Sequence, residues 1–224
     1  MSPDRLPTGI APVDAILGGG LDTDALTELY GEGGSGKTLF CLDVATRVAL
    51  SDRWVFYIDT EGLSMDRLRS ISQGRVERVL RRLLVSTPRT LEEQSKAVAT
   101  ACTLAREKKR PVGLLVLDSA TFYYRLTLSQ SNEDEGRQAL CLELADLLST
   151  AIQTGVPVLF TNQVWRSMKD GQLEPLGGSF VNHVAKTILR LERLSGNRRR
   201  VVLIKHRSRP EASAEFRITS TGLE

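Results

Sequence analysis

Nearly continuous apolar runs alternate with amphipathic segments over about the first two thirds of the chain. Trp54–Asp59 and Val112–Leu117 are the clearest such runs, which are typical of strands buried on both faces of a parallel sheet. Between the runs, apolar residues recur at helical spacing. This alternation predicts an α/β fold with a mostly parallel sheet and helices on both of its faces.

The individual elements follow from the same pattern. Helices are predicted at 13–17, 38–50, 91–108 and 137–154, with one or two more within 65–82. Strands are predicted at 26–30, 54–59, 83–86, 112–117 and 156–162.

The pattern changes from residue 185 onward. Three β-rich stretches follow, at 185–194, 199–206 and 214–219, and only short turns join them. Short turns join antiparallel strands, so these stretches predict an antiparallel extension of the same sheet. The sequence contains no linker, low-complexity segment or internal repeat. We therefore expect one domain over 1–224, with a turn-rich lead-in at 1–24 and a β-rich part at 185–224.

A glycine-rich segment lies between the predicted strand 26–30 and the helix after it. Its sequence, GEGGSGKT, fits the phosphate-binding pattern GxxxxGK[ST] in the required strand–loop–helix context. Such a loop turns backbone N–H groups toward phosphate oxygens, a lysine neutralises the β/γ charge and a hydroxyl ligates Mg²⁺. The predicted ligands of ATP are Gly31, Glu32, Gly33, Gly34, Ser35, Gly36, Lys37 and Thr38.

Three polar residues at or just beyond predicted strand ends complete the candidate chemistry. Asp118 ends a buried strand and is predicted to hold Mg²⁺ together with Thr38. Glu61 is the candidate base that orients the attacking water, provided that its strand neighbours the strand before the phosphate loop. Gln163 is the candidate contact to the γ-phosphate. The alternative is a turn-capping role for Asp118 and a solvated loop position for Glu61 and Gln163.

Composition excludes several classes of protein. The 224 residues are 41% hydrophobic and 25% charged, with a net charge of +3, which fits a globular protein and not a disordered one. The three cysteines form no CxxC pair and suggest neither a disulfide framework nor a zinc site. The N-terminus has no apolar signal segment and no run reads as a membrane span. We expect a cytoplasmic protein without membrane attachment.

Positive charge is concentrated near the C-terminus. Residues 186–209 contain nine basic side chains against one acid, Glu192. A stripe of this kind attracts nucleic-acid phosphates regardless of sequence, and an aromatic ring beside cations stacks on single-stranded bases. A solvated hairpin tip at 198–200 and a core position for Trp165 are the competing interpretations. The predicted DNA-binding residues are Trp165, Arg166, Lys169, Arg198, Arg199 and Arg200.

Six segments together resemble the RecA/RadA recombinase family, and within it the short archaeal paralogues of RadA. In chain order they are LPTGIAPVDAILGGGLDTDALTELYGEGGSGKT, YIDTEGLSMDRL, LLVLDSAT, LFTNQV, LGGSFVNHVAKTILRLER and RPEASAEFRIT. The phosphate loop alone is shared by many ATPases, whereas its combination with DTEG and TNQV is much narrower. The resemblance implies a RecA-like core that binds ATP and Mg²⁺.

The resemblance also implies roles for single residues. Lys37 and Glu61 would serve catalysis, with Glu61 activating water, and Arg67 would stack on the adenine. Gln163 would sense the γ-phosphate and relay nucleotide state to the loop 164–177.

Two further implications concern DNA and a neighbouring subunit. The loops 164–177 and 128–136 would face the DNA path. Lys205 and Arg207 resemble the basic side chains that such proteins offer in trans to a neighbour's γ-phosphate.

Departures from the family pattern set the expected function. Only 30 residues precede Gly31, where the recombinases carry a helical DNA-binding domain, and none of the six phenylalanines begins the docking motif Phe-x-x-Ala. Leu39 stands where the recombinases usually have glutamine. We therefore expect an accessory protein of recombination and repair that binds ATP and single-stranded or branched DNA, with weak or no ATPase activity. Its expected partners are a RadA-type recombinase and a Holliday-junction resolvase, with self-association left open.

Two alternatives stay open at this point. One is an oligomeric DNA-dependent ATPase or strand-exchange enzyme. The other is a single-domain relative of the KaiC-like signalling ATPases, against which the TNQV motif argues.

Overall fold

A computed structural model describes residues 4–128, 133–166 and 173–224. The helices are α1 Ala11–Leu17, α2 Lys37–Leu50, α3 Met65–Ser72, α4 Val76–Leu80, α5 Leu91–Arg106, α6 Phe122–Leu128, α7 Glu133–Thr154 and α8 Gly178–Val184. The strands are β1 Arg5–Leu6, β2 Leu21–Asp22, β3 Leu26–Tyr30, β4 Trp54–Asp59, β5 Leu83–Ser86, β6 Val112–Asp118, β7 Val158–Asn162, β8 Val164–Arg166, β9 Leu173–Pro175, β10 Thr187–Arg193, β11 Arg198–His206, β12 Ala212–Thr219 and β13 Gly222–Leu223.

A nine-stranded sheet organises the described part of the chain, in the order β13-β12-β11-β10-β3-β7-β6-β4-β5. Neighbouring strands from β10 through to β5 are parallel. The strands β10 to β13 pair antiparallel. Because β3, β7, β6 and β4 are parallel neighbours, their carboxyl ends meet at one edge of the sheet, where open α/β sheets bind ligands.

Helices cover both faces of the sheet. On one face α1, α2, α3 and α4 pack on a core that includes Phe40, Tyr57 and Leu68. On the other face α5, α6, α7 and α8 pack around Leu144 and Phe160. Strands between two apolar layers are buried on both sides, which explains the continuous apolar runs in the sequence.

The predicted fold class is confirmed: the sheet is mostly parallel, with helices on both faces and an antiparallel extension at its C-terminal end. The region 65–82 forms two helices, α3 and α4. The elements that were not predicted are short: the pairs β1–β2 and β8–β9, the strand β13 and the helices α6 and α8. Segments of two to seven residues span too few repeats for a hydrophobic period to be read.

Parts of both predicted DNA loops lie outside the described residues. They are 129–132 in the loop 128–136 and 167–172 in the loop 164–177, and the second includes Lys169. Among the described helices, none combines the length and the apolar character needed to cross a bilayer.

Candidate nucleotide-binding site

The glycine-rich segment 31–38 connects β3 to α2 at the carboxyl edge of the sheet. Gly36 caps α2 with φ 103°, a left-handed conformation that a glycine adopts without strain. At the other end, a side chain on Gly31 would collide with the backbone carbonyl of Leu191 in β10. Glycine is therefore required at position 36 by the backbone conformation and at position 31 by the close approach of Leu191.

Lys37 begins α2 and turns back over this loop. Its Nζ donates to the carbonyl oxygens of Gly31 at 2.8 Å and Glu32 at 3.2 Å. Burial lowers the pKa of Lys37, while the nearby negative charges of Glu61 and Asp118 act in the opposite direction. A partly desolvated ammonium group beside a glycine-rich loop at a helix N-terminus fits a phosphate anion.

A cleft of about 350 Å³ opens beside the loop. Arg67 forms one side, and its guanidinium donates to the backbone oxygens of Thr219 at 2.6 Å and Ser220 at 3.4 Å. The described residues that line the cleft are Gly33, Gly34, Gly36, Lys37, Thr38, Leu39, Leu42, Glu61, Gly62, Ser64 and Arg67. The fold thus brings the predicted phosphate, water and adenine contacts to one cavity.

Asp118 ends β6 beside this cleft and is almost completely buried. Its carboxylate accepts hydrogen bonds from the hydroxyls of Thr161 at 2.6 Å and Tyr57 at 2.7 Å. Burial raises the pKa of Asp118, and hydrogen bonds from Thr161, Tyr57 and Thr38 oppose that rise. A fixed carboxylate next to the Thr38 hydroxyl is a donor set that fits Mg²⁺.

Glu61 is exposed at the mouth of the cleft, on a turn that follows β4. The Asp59 carboxylate fixes this turn by accepting from the backbone N–H groups of Gly62 at 2.9 Å and Leu63 at 2.6 Å. We expected Glu61 to act as the base provided that β4 neighbours β3. The two strands are not neighbours, because β7 and β6 lie between them. The turn beyond β4 nevertheless places Glu61 close enough to Lys37 to influence its pKa.

Gln163 follows β7 and links several of these groups. Its Nε2 donates to Glu61 Oε1 at 2.7 Å, and its Oε1 accepts from Arg125 at 3.4 Å. Its backbone N–H donates to Thr121 Oγ1 at 2.9 Å, and its carbonyl accepts from the N–H of Leu176 at 3.0 Å. Gln163 therefore connects the Glu61 turn to the base of the segment 164–177. Arg125 and Thr121 were not predicted as parts of the site.

A buried acid beneath the phosphate loop was also missed. Glu28 lies in β3, is 0% exposed, and accepts from Asn162 Nδ2 at 2.7 Å. Asn162 also donates to the carbonyl of Leu176 at 2.8 Å. Through Asn162, β3 is therefore connected to the base of the segment 164–177. The sequence did carry a signal for this residue, because Glu28 stands inside the apolar strand LTELY. An acid is almost never fully buried unless it is paired, so its position indicates a buried partner.

The pKa of Glu28 makes stability depend on pH. Burial raises this pKa from 4.5 to about 7. The folded protein therefore keeps a proton that the unfolded chain releases, so stability falls as pH rises from about 4.5 to 7. Between these pH values the free energy of unfolding should fall less in Glu28→Gln than in the wild type, by at most about 3 kcal/mol. Urea unfolding at several pH values measures this difference. Glu92→Gln, on exposed α5 surface, is the control, and an unchanged slope in Glu28→Gln would contradict the assignment.

The predicted DNA-binding residues occupy different surroundings. Trp165 is 46% exposed in β8, and Arg166 ends the same strand. Arg198 and Arg200 lie in β11 but share the carboxylate of Glu215 in β12, at 3.7 and 3.0 Å. The stripe is therefore less positive than its sequence suggests, because β12 brings a compensating acid beside it.

Among the described residues predicted to bind DNA, Arg199 has the surroundings that differ most from those of an exposed DNA contact. Its side chain is buried against the phosphate loop, and Nε donates to the carbonyl of Ser35 at 2.9 Å. Side chains alternate along a strand, so Arg198 and Arg200 point to the opposite face. The run of three arginines in the sequence does not reveal this alternation. The Arg199 side chain lies buried against the phosphate loop, whereas the prediction as a DNA contact assumed an exposed position.

The two residues predicted to act in trans are held by their own chain. Lys205 Nζ donates to the carbonyls of Asn182 at 2.5 Å and Ala185 at 2.9 Å. Arg207 makes a two-pronged contact with Asp24 at 2.9 and 2.7 Å and reaches Asp22 at 3.0 Å. Action on a neighbouring subunit would require these contacts to be exchanged.

Comparison with known proteins places the chain in a family. Residues 4–224 match the Rad51 family. The chain is 40% identical over 227 residues to the DNA repair and recombination protein RadB of Methanoculleus marisnigri, covering 100% of this chain and 99% of that protein. It is 36% identical over 222 residues to RadB of Methanococcoides burtonii, covering 98% and 97%. It is 38% identical over 224 residues to RadB of Thermoplasma acidophilum, covering 98% and 93%.

These matches extend over nearly the whole chain, so the matched range spans the positions of the phosphate loop, the Glu61 turn and Gln163. The resemblance to the RecA/RadA recombinases and their short archaeal paralogues is confirmed. On the strength of these sequence matches, the chain belongs to the Rad51 family.

Proposed function

We propose that this protein is an accessory factor of homologous recombination and DNA repair that binds ATP with Mg²⁺ and changes its affinity for DNA when it does so. Hydrolysis is weak or absent. The protein modulates a RadA-type recombinase and acts on branched DNA with a junction-cleaving enzyme. Its relatives are DNA repair and recombination proteins, which supports a role in the same processes.

The observation that carries the proposal is the hydrogen bond between Gln163 Nε2 and Glu61 Oε1. Glu61 lines the nucleotide cleft, and the backbone of Gln163 holds Leu176 at the base of the segment 164–177. A γ-phosphate bound over Lys37 would compete with this carboxylate for the amide of Gln163. Nucleotide state would then bias a segment that carries Trp165, an exposed indole suited to stacking on DNA bases.

Nucleotide binding is supported by the loop and cleft already described. Bound Mg²⁺ would neutralise phosphate charge, and Thr38 and Asp118 are the residues that would hold it. Leu39 and Leu42 give the cleft an apolar wall, and Arg67 supplies a guanidinium plane that suits an adenine ring.

Weak hydrolysis is supported by the state of the charged residues. Glu61 is hydrogen-bonded to Gln163, while Lys205 and Arg207 are engaged with their own chain. A stabilising cation from a neighbour can raise phosphoryl-transfer rates by about 10³–10⁵. Without such a cation in place, slow turnover is the expected state of a single chain.

One titration series tests the proposal as a whole. ATP turnover and single-strand affinity are measured together, with and without a RadA-type recombinase. We expect turnover to stay low and independent of protein concentration, while DNA affinity responds to ATP and to the recombinase. An ATP-independent DNA affinity that the recombinase does not change would overturn the accessory role.

An oligomeric DNA-dependent ATPase is the second candidate. It is supported by Glu61, whose carboxylate lines the nucleotide cleft, where a water-orienting base would have to lie. In that case Lys205 and Arg207 would act in trans. Turnover that rises with protein concentration and with DNA would favour this enzyme over the accessory protein.

Binding of DNA by the arginine stripe predicts a salt dependence. Replacing both Arg198 and Arg200 by glutamine should lower the slope of log affinity against log salt by about 1.4, because each phosphate contact on single strands contributes about 0.7. Fluorescence anisotropy at several salt concentrations measures this slope. Arg78→Gln, an exposed arginine paired with Asp52, serves as the control.

A reciprocal variant sharpens the same test. Glu215→Gln removes the acid that Arg198 and Arg200 share and should strengthen DNA binding. If neither the double arginine variant nor Glu215→Gln changes the slope or the affinity, DNA does not bind at this stripe.

A further inference from the structure

Arg199 is the most completely enclosed arginine of the run 198–200, with 8% of its surface exposed. It belongs to the antiparallel extension, whereas the phosphate loop belongs to the parallel part of the sheet. The hairpin between β10 and β11 brings the two together. Apolar side chains fill the other inward positions of β11, Val201 and Leu203, so Arg199 is the exception on this face of the strand.

The guanidinium of Arg199 donates only to backbone carbonyls. Nε donates to the carbonyl of Ser35 at 2.9 Å and Nη2 to that of Gly34 at 3.4 Å, both in the phosphate loop. Nη1 donates to the carbonyls of Arg198 at 2.8 Å and Gly196 at 3.4 Å in its own hairpin. Among the described residues, no carboxylate oxygen lies within 4.0 Å of the Arg199 guanidinium, so no direct ion pair there neutralises its charge.

The direction of these bonds matters for the loop. Each peptide unit presents its carbonyl and its N–H on opposite sides, so carbonyls fixed toward Arg199 leave the following N–H groups facing away from it. For Gly34 and Ser35, the following N–H groups are those of Ser35 and Gly36. A charge-assisted hydrogen bond to a carbonyl holds its peptide more firmly than a neutral one.

We propose that Arg199 is a positioning residue for the nucleotide phosphates: it fixes the peptides after Gly34 and Ser35 from behind and adds positive charge to the loop. It does not touch the nucleotide and it is not part of the DNA contact. This inference rests on the proposed ATP site, and it assigns to the C-terminal hairpin a direct part in forming that site.

The proposal separates three adjacent arginines by function. Arg199→Leu removes both the bonds and the charge, whereas Arg199→Lys keeps the charge and loses the planar fork. Arg198→Leu and Arg200→Leu are matched controls on the same strand, with side chains on the opposite face. All four variants change a single arginine to a side chain of comparable length or volume.

Two measurements are made on the full-length chain. Isothermal titration gives the dissociation constants for ATP and ADP with Mg²⁺, and hydrogen exchange of the nucleotide-free protein reports on the amides of 33–38. We expect Arg199→Leu to weaken both nucleotides by about tenfold or more and to speed exchange in 33–38. Arg199→Lys should fall between Arg199→Leu and the wild type, and the controls should match the wild type in both measurements while they weaken DNA binding.

The proposal is overturned if Arg199→Leu keeps the nucleotide affinity and the exchange rate of the wild type. It is also overturned if Arg198→Leu loses as much nucleotide affinity as Arg199→Leu does. If Arg199→Leu fails to fold, Arg199→Lys decides the matter by the same two measurements. If the wild-type chain binds no ATP, the proposed function fails, whereas the exchange measurement still tests whether Arg199 orders the loop.

Discussion

Replacement of Lys37 by alanine should abolish measurable ATP binding, with a loss of affinity of about 100-fold or more. Its Nζ donates to the carbonyls of Gly31 and Glu32, and burial lowers its pKa. A partly desolvated cation at the bottom of a phosphate site interacts more strongly than one in water. The variant loses both the cation and the two hydrogen bonds that shape the loop.

Isothermal titration with ATP and Mg²⁺ measures this effect. Lys96→Ala is the control, because Lys96 lies on the exposed surface of α5 and pairs with Glu92. Thermal unfolding without nucleotide verifies that Lys37→Ala is folded. Unchanged ATP affinity in a folded Lys37→Ala protein would remove the assignment of the site.

Replacement of Asp118 by asparagine should make ATP binding insensitive to magnesium. The carboxylate is nearly fully buried and accepts from Tyr57 and Thr161, so the isosteric amide keeps the shape of the pocket while removing the negative charge. In the wild type, Mg²⁺ should strengthen ATP binding, and loss of one group that holds a metal costs about 10–100-fold in its affinity.

The measurement is ATP affinity with Mg²⁺ and again with a chelator. Wild type and Asp118→Asn should agree in the chelator and differ about tenfold or more with Mg²⁺. A matched control is Asp43→Asn in α2, a buried aspartate that pairs with Arg47 and is not among the residues that line the cleft. An equal response to Mg²⁺ in the wild type and in Asp118→Asn would show that Asp118 does not hold the metal.

The sequence was sufficient for features whose physics is local. The phosphate loop needs glycines, a lysine and a hydroxyl at fixed spacing, and a buried parallel strand needs a continuous apolar run. Residues 31–38 and the strand ending at Asp118 were therefore predicted at the correct positions. The antiparallel extension was predicted because its strands follow each other across short turns.

Features that depend on distant segments could not be predicted in the same way. The order of the strands, which places β7 and β6 between β3 and β4, leaves no local trace in the sequence. Arg199 was misplaced because its surroundings depend on which face of β11 meets the phosphate loop. Glu28 was overlooked because its partner Asn162 lies 134 positions away.

The relay through Gln163 is the central claim, and single-strand DNA affinity in different nucleotide states tests it most directly. Anisotropy is measured without nucleotide, with ADP and with a non-hydrolysable ATP analogue, for the wild type and for Gln163→Ala. We predict that the analogue changes the wild-type dissociation constant by about fivefold or more, and that Gln163→Ala binds DNA equally in all three states while it still binds the analogue. A wild-type dissociation constant that is the same in all three states, although the analogue is bound, would contradict the account.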